Sequence, residues 1–402
     1  MPSIPSPASF APQAQNLPRR LLFSTSAGIG GHGLNSVSLE ILKGVHRTGY
    51  LGRAIAFSNH QSEIPANQIQ TLWWHPARLL KFLPRKQYAG ARKLALDNAT
   101  AKTLANGDYD MFHSWSGDCL ASLKVANRLG IPSLLEIPTW HRDKGKVKAR
   151  VTRSEQRAAR LSGLDALRYR LEIPRPHTLE EYDRASVILV LSEKARETFL
   201  TAGFDAKKLF LLGRGVDVSK FQPAESPPAK FHAVFVGSVI RRKGAHLLLQ
   251  AWDKLRLPDA ELTLVGAMEP AVREVLEKLR PPGVNVVGFC HNVAPYLRKA
   301  SVHVFPTECE GSAKVTYEAA ASGLAQITTR EAGDVVQHGK TGWIIPPNNL
   351  DALCDALQNA ANNPDTLHAM GSAARQRMVD EFTWQHFHQR LDAAHAYALS
   401  RG

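Results

Sequence analysis

Short apolar runs alternate with helix-forming stretches along nearly the whole chain, and this alternation is what most narrows its fold. Residues 21–26, 54–57, 133–137, 187–190, 233–236, 261–265, 284–287, 302–305 and 325–329 are each four to six residues long and rich in Val, Ile, Leu and Phe. Runs of that length, apolar on both alternating faces, suit strands buried between two layers. Between them, stretches such as 34–47, 118–129, 245–252 and 314–322 have the composition and spacing of helices. Strand followed by helix, repeated, implies doubly wound parallel sheets: an α/β class. A chain of 402 residues holds two or three such domains.

The seam between domains is legible. Gly215-Val216-Asp217 and Phe221-Gln222-Pro223 follow the strand-like 208–212, and residues 223–228 have the composition of a linker. The reading is therefore a leader at 1–18, a first domain at 19–213, and a second at 214–382, with a closing helix at 383–399 that packs back onto the first. The leader has five prolines and no charged side chain. It lacks the basic start and apolar core of a signal peptide and is expected to be disordered. No apolar stretch approaches the roughly 18 residues a membrane-crossing helix needs. Four cysteines without CxxC spacing argue against a zinc site and for a reducing, cytoplasmic setting.

One stretch concentrates chemistry. Glu310-Gly311-Ser312-Ala313-Lys314-Val315-Thr316-Tyr317-Glu318 follows the buried run 302–305 and leads into a small-residue helix. The amides that open such a helix face whatever lies above the strand's end, a ready site for an electron-rich ligand. Eight positions separate Glu310 from Glu318, about two helical turns or roughly 11 Å. The two carboxylates therefore suit opposite ends of an extended, hydroxyl-rich molecule. A second turn, Gly237-Ser238-Val239-Ile240-Arg241-Arg242-Lys243-Gly244, puts three cations between a strand and a helix start, which suits a diphosphate.

These motifs resemble the donor half of the retaining GT-B glycosyltransferases, the family that includes the sucrose- and glycogen-synthase-like enzymes. The resemblance spans about residues 21–395 and is strongest over 205–345. It implies two Rossmann-like domains facing across a cleft. It also implies that Glu310, with Gly311, Ser312, Ala313, Lys314 and Val315, holds the donor sugar, that Glu318 binds the ribose, and that Lys243 contacts the diphosphate. Where the family has an Arg beside Gly237, this chain has Ser238, and Arg241 or Arg242 is left to supply the charge. The loop from Gly288 and Phe289 to His291 corresponds to the one that reads the base. His113 matches a histidine near the donor, and Trp115 stands where many members have a second one. The resemblance makes Glu310, Lys243 and His113 the catalytic candidates and His32, Trp115 and His141 the acceptor candidates. It implies no metal and no cofactor beyond a UDP- or GDP-type nucleotide sugar as substrate. The expected activity is hexosyl transfer with retention, in polysaccharide, lipopolysaccharide or glycolipid assembly.

Other readings compete. Gly28, Gly30 and Gly33 match G-x-G-x-x-G, the dinucleotide fingerprint. The second strand, however, ends in Ser58-Asn59-His60 with no acid for a ribose, so Gly30 and Gly31 are read instead as a loop that lets donor and acceptor approach the backbone. A nucleotide-sugar epimerase shares the architecture, but no acid–base constellation for it is visible. A non-enzymatic basic scaffold binding lipid or RNA leaves Glu310, Glu318 and Lys243 without a role.

Charge is the last guide. The net +14 is lopsided: residues 1–213 hold 30 Lys+Arg against 17 Asp+Glu, and residues 214–402 hold 20 against 19. Residues 141–175 carry 11 Lys+Arg and 4 Asp+Glu, with Val147, Val151, Ala158, Leu161 and Leu164 at near-helical spacing. Residues 72–93 interleave Trp73, Trp74 and Phe82 with Arg78, Lys81, Arg85 and Lys86. Both segments suit an anionic, lipid-linked or glycan acceptor and peripheral contact with an anionic membrane, on the inner face of the cell membrane. No nucleic-acid motif is present and no nucleic acid is expected.

Overall fold

The computed structural model describes residues 17–146, 148, 151–226 and 228–401. The leader expected at 1–18 falls outside this range except for its last two residues, as does Val147 of the basic segment. The chain forms two compact units: one of residues up to Val190, Arg196–Leu212 and His388–Gly402, the other of Leu191–Ala195 and Gly213–Phe387.

The first unit is built on seven strands: β1 (Leu21–Thr25), β2 (Leu51–Ala56), β3 (Ile69–Thr71), β4 (Met111–Trp115), β5 (Ser133–Glu136), β6 (Val187–Val190) and β7 (Leu209–Leu211). They lie in the order β3-β2-β1-β4-β5-β6-β7, and every pairing is parallel. Each connection therefore crosses a face of the sheet. The crossings use α1 (Leu34–Thr48), α2 (Arg85–Asn106), α3 (Leu120–Leu129), α4 (Arg153–Ala158), α5 (Gly163–Leu171), α6 (Arg175–Arg184) and α7 (Glu193–Thr201). Helices on both faces explain why β1, β4, β5 and β6 are buried at every residue and why their sequences show no polar alternation.

The second unit repeats the plan with β8 (His232–Val236), β9 (Glu261–Val265), β10 (Val284–Gly288), β11 (Val302–Phe305), β12 (Ala325–Thr328) and β13 (Gly342–Ile344), ordered β10-β9-β8-β11-β12-β13 and again all parallel. Its helices are α8 (Ala245–Leu255), α9 (Pro270–Leu279), α10 (Ala294–Arg298), α11 (Lys314–Ala321), α12 (Leu350–Asn362) and α13 (Pro364–Glu381). The last helix, α14 (Trp384–Leu399), contributes its residues from His388 on to the first unit. There Arg390 Nε donates to the Leu212 carbonyl at 2.8 Å, and the Tyr397 hydroxyl to that of Lys207 at 2.6 Å.

The two-sheet α/β fold is as expected. Of the strands outside the nine apolar runs, β4 is interrupted by His113 and Ser114, and β3, β7 and β13 are three-residue edge strands, most of whose residues are only partly buried. An edge strand packed on one side needs fewer apolar residues, so it leaves a weak signal.

Candidate functional site

The cations and carboxylates of the second unit meet where β8 and β11 end. After β8, Gly237 adopts φ +129, and a Cβ there would stand 3.2 Å from the Lys243 ammonium. Leaving that carbon out makes room for the lysine to fold back over the strand end. The turn then tightens into a short 3-10 segment, Arg241–Lys243, and closes on Gly244 at φ +75. A Cβ at Gly244 would lie 2.1 Å from the Pro306 carbonyl oxygen, so only glycine lets this turn touch the loop after β11. The two loops are laced together. Glu308 N and Thr307 Oγ1 both donate to the Arg242 carbonyl, at 2.9 and 3.2 Å.

On this frame the Lys243 ammonium sits 5.3 Å from the centre of the Phe305 ring and 3.5 Å from Glu310 Oε1. Arg242 Nη1 reaches the same oxygen at 3.0 Å and also donates to the Cys309 carbonyl. Arg242, not Arg241, is thus the cation seated beside Lys243 and Glu310. The Lys243 and Glu310 side chains are mostly covered, while that of Arg242 is more open.

Glu310 is held from behind by backbone: its N–H donates to the Glu331 carbonyl at 2.9 Å, and that of Ala313 to the Ala332 carbonyl at 2.8 Å. The Ser312 hydroxyl meets that of Tyr317 at 2.8 Å, and the Gly311 carbonyl accepts from the Ser192 hydroxyl at 2.6 Å. Helix α11 begins at Lys314 with Ala313 as its N-cap and no side-chain cap. A helix start without a side-chain cap at Ala313 suits an incoming anionic or hydroxylated group. One turn on, Glu318 is buried and pairs with the Lys314 ammonium at 3.0 Å. At the end of β10, Gly288 has φ +79 with open space about it, and Phe289 is exposed with its ring edge-on to His291 at 4.8 Å. Ser238 is exposed.

Three residues that the sequence reading missed support this cluster. Phe305 offers its ring to Lys243, Thr307 ties the two loops, and Asp334 anchors the 330–334 loop behind Glu310. The Asp334 carboxylate accepts from Glu193 N at 2.7 Å, and burial pushes it up to about 6. The last residue of an apolar strand that leads into the acidic loop 306–310 is the signal that could have identified Phe305.

The candidates of the first unit fare differently. Gly30, Gly31 and Gly33 all have positive φ at the end of β1, and Gly31 and His32 are exposed there. His113, expected as a catalytic residue, is instead a fully buried core side chain. Its Nδ1 lies 3.2 Å from His395 Nε2, and His395 Nδ1 lies 2.9 Å from the Tyr50 hydroxyl. That hydroxyl donates to Asp392 Oδ1 at 2.5 Å. Having one proton, Tyr50 must accept from His395 Nδ1. His395 Nε2 then accepts from His113 Nδ1–H, which leaves His113 Nε2 a bare acceptor with no hydrogen-bond partner. Burial holds the His113 ring down to about 3 and His395 well below its ordinary value.

Trp115 and His141, expected to face an acceptor, are also buried. Trp115 Nε1 donates to Glu136 at 3.1 Å. The His141 ring packs 5.0–5.8 Å from Tyr182, Phe199 and Phe204 and accepts from Asp143 N. The correction has one cause. A polar or aromatic residue in or just after a short buried run looks alike in sequence whether its side chain meets solvent or the core. Among the described residues no group of three or more His, Cys, Asp or Glu side chains is placed to hold a metal.

Comparison with known proteins bears on the family and the fold. The family model described as Glycosyl transferases group 1 matches residues 230–363, which spans the Lys243–Glu310 cluster. A putative colanic acid biosynthesis glycosyltransferase of Salmonella typhimurium is 24% identical over 234 residues, covering 54% of this chain and 58% of its own length. The chain thus spans less than two thirds of that relative. In fold, sucrose-phosphate synthase from Thermosynechococcus elongatus superposes with a TM-score of 0.66 at 20% identity, over 92% of this chain and 96% of its own. The HepE protein of Anabaena, solved with UDP and glucose, gives 0.66 at 15% identity over 92% and 97%. Residues 230–363 therefore match the group 1 glycosyl transferase family, in a chain of GT-B fold.

Proposed function

We propose that this protein transfers a sugar from a nucleotide diphosphate sugar to an acceptor hydroxyl. The observation that carries the reading is the convergence of Lys243 and Arg242 on Glu310, beside the start of α11. Breaking the bond between sugar and diphosphate leaves negative charge on the departing phosphate. Two cations fixed at a strand end, with helix amides beside them, stabilise that charge without reorganising. Glu310 orients the donor sugar, with the 311–315 backbone around it, and Glu318 takes the ribose hydroxyls. Gly288 and Phe289 flank the base. Gly30 and Gly31 give the backbone access that donor and acceptor need. The HepE complex with UDP supports a UDP-type donor over a GDP-type one.

Transfer proceeds with retention and with these cations in the role a divalent ion would otherwise fill. The acceptor is an anionic, lipid-linked or glycan molecule, met by His32 at the β1 loop, and the setting is the inner face of the cell membrane. A thermal-shift panel of UDP, GDP, ADP and their hexose conjugates tests the donor class, because a ligand that binds the folded state raises the melting point by mass action. No shift with any of them would overturn the reading. Activity abolished by EDTA and restored by a divalent ion would overturn the metal-independent step alone, and a product of inverted anomeric configuration would overturn retention alone.

A further inference from the structure

Across the first unit, the side chains that stand out are apolar ones left in water. Trp74, Leu79 and Phe82 are 76%, 79% and 78% exposed, and the Trp73 ring lies against that of Trp74 at 3.6 Å between centres. They sit on a short stretch around a 3-10 segment, Pro76–Phe82, which is started by His75 Nδ1 accepting from Ala77 N at 3.1 Å. Its inner side is anchored: Ala77 is buried, and Arg78 donates to the Phe57 carbonyl at 3.2 Å. The outer side is therefore presented, not collapsed. Residues 64–96 contain six Lys+Arg and no Asp or Glu. Of these, Lys81, Arg85 and Lys86 are exposed with no ion pair among the described residues. Helix α2, which follows, also packs against α5. On α5, Leu164 is 72% exposed and Leu167 is also open, with Arg168 and Arg170 exposed on the same short helix.

Exposed aromatic and aliphatic side chains on this scale are unusual on a soluble domain and mark an interaction surface. Indole rings with a fringe of cations, and no acid within residues 64–96, match the depth profile of a bilayer surface; on α5 the exposed Asp165 pairs with Arg168 at 3.5 Å. Aromatics take the headgroup layer and cations take the anionic phosphates. Among the described residues no helix is long and apolar enough to cross a membrane, so the contact is interfacial. From this we infer that the 73–86 segment, with the α5 face beside α2, is a docking surface for a bilayer rich in anionic lipid. The inference deepens the membrane setting proposed above, and it is independent of the sugar chemistry.

Co-sedimentation with vesicles of phosphatidylcholine alone, and with about a third phosphatidylglycerol, tests it at low and high salt. The purified chain should bind the anionic vesicles at least about tenfold more tightly than the neutral ones, with salt weakening the binding. Replacing Trp74, Leu79 and Phe82 together by Ser should weaken binding about tenfold or more. Replacing Lys81, Arg85 and Lys86 by Gln should cost about fivefold per cation and flatten the salt dependence. Gln at exposed Lys278, Lys299 and Lys340 of the second unit should change nothing. Melting curves and UDP-induced shifts of the variants should match wild type, since none of these residues belongs to the donor cluster. Absence of binding to anionic vesicles, or equal binding by the Ser triple variant, would overturn the inference. So would a wild-type dimer that the Ser variant breaks, which would make a second copy the occupant. Tighter binding to single-stranded RNA than to the vesicles, lost in the Gln triple variant, would also overturn it.

Discussion

The Lys243–Glu310 cluster, on the loops after β8 and β11, and the His113–His395 chain, which runs from the middle of β4 to α14, are both rows of polar groups beside central strands, and they come to opposite states. In the second unit, two loops meet through glycine-only contacts and hold cations and carboxylates at a partly open surface. In the first, a run of hydrogen bonds from Asp392 through Tyr50 and His395 ends at a histidine sealed in the core. The first arrangement keeps charge available to a ligand. The second removes charge altogether, because desolvation outweighs Glu136, whose carboxylate stands 4.0 Å from His113 Nε2. Exposure thus separates a site from a structural polar chain.

The sharpest way to break that contrast is to remove the working cation on one side and the buried ring on the other. Lys243→Ala should lower kcat about 10²–10³-fold, the loss typical of one fixed transition-state donor, with the melting point of the free protein little changed. His113→Leu should leave the rate constants near wild type and act on stability instead. A His113→Leu protein that folds normally yet loses activity like Lys243→Ala would return His113 to the site and erase the distinction.

Acid titrates the second arrangement directly. His113 and His395 are neutral when folded and bind a proton near pH 6.5 once unfolded. The unfolded state therefore takes up more protons between those values. Stability is fully present above about pH 6.5 and falls as pH drops toward the depressed folded value, by up to about 1.4 kcal/mol per pH unit for each histidine. Urea denaturation at pH 7, 5.5 and 4.5 should show this slope, and it should be shallower in His113→Leu. Equal slopes in the two proteins would mean that other groups carry the acid sensitivity.

How much of this was legible in the chain itself follows the same division. Buried central strands announce themselves because both faces must be apolar, so the parallel-sheet α/β class was readable, while the strand order was not. The Glu310-x7-Glu318 spacing and the Gly237–Gly244 turn were readable too, because helix starts and glycine turns are local. The choice between Arg241 and Arg242 was not, since it depends on Cys309 and Glu310, about 68 residues away. The burial of His113 and His141 was hidden for a related reason: their ring partners are on α14 and in the Tyr182–Phe199–Phe204 cluster, neither of which adjoins them in sequence, and Trp115 meets Glu136 on the neighbouring strand.

Arg242 gives the finest test of the contrast, because its neighbour provides the control. Both arginines sit on one 3-10 turn and both are exposed, but only the Arg242 side chain is fixed against Glu310. A charge-assisted hydrogen bond at a partly open site is worth roughly 1.5 kcal/mol, so Arg242→Ala should lower kcat/KM about tenfold. Arg241→Ala, which removes an equal charge from the same turn, should cost less than about twofold. If instead the two losses were equal, the turn would act through its net charge alone, and the geometry around Glu310 would no longer explain the activity. A split between them means that the loop after β11 selects which cation works, and that the departing phosphate is recognised by fixed donors and not by a diffuse basic surface.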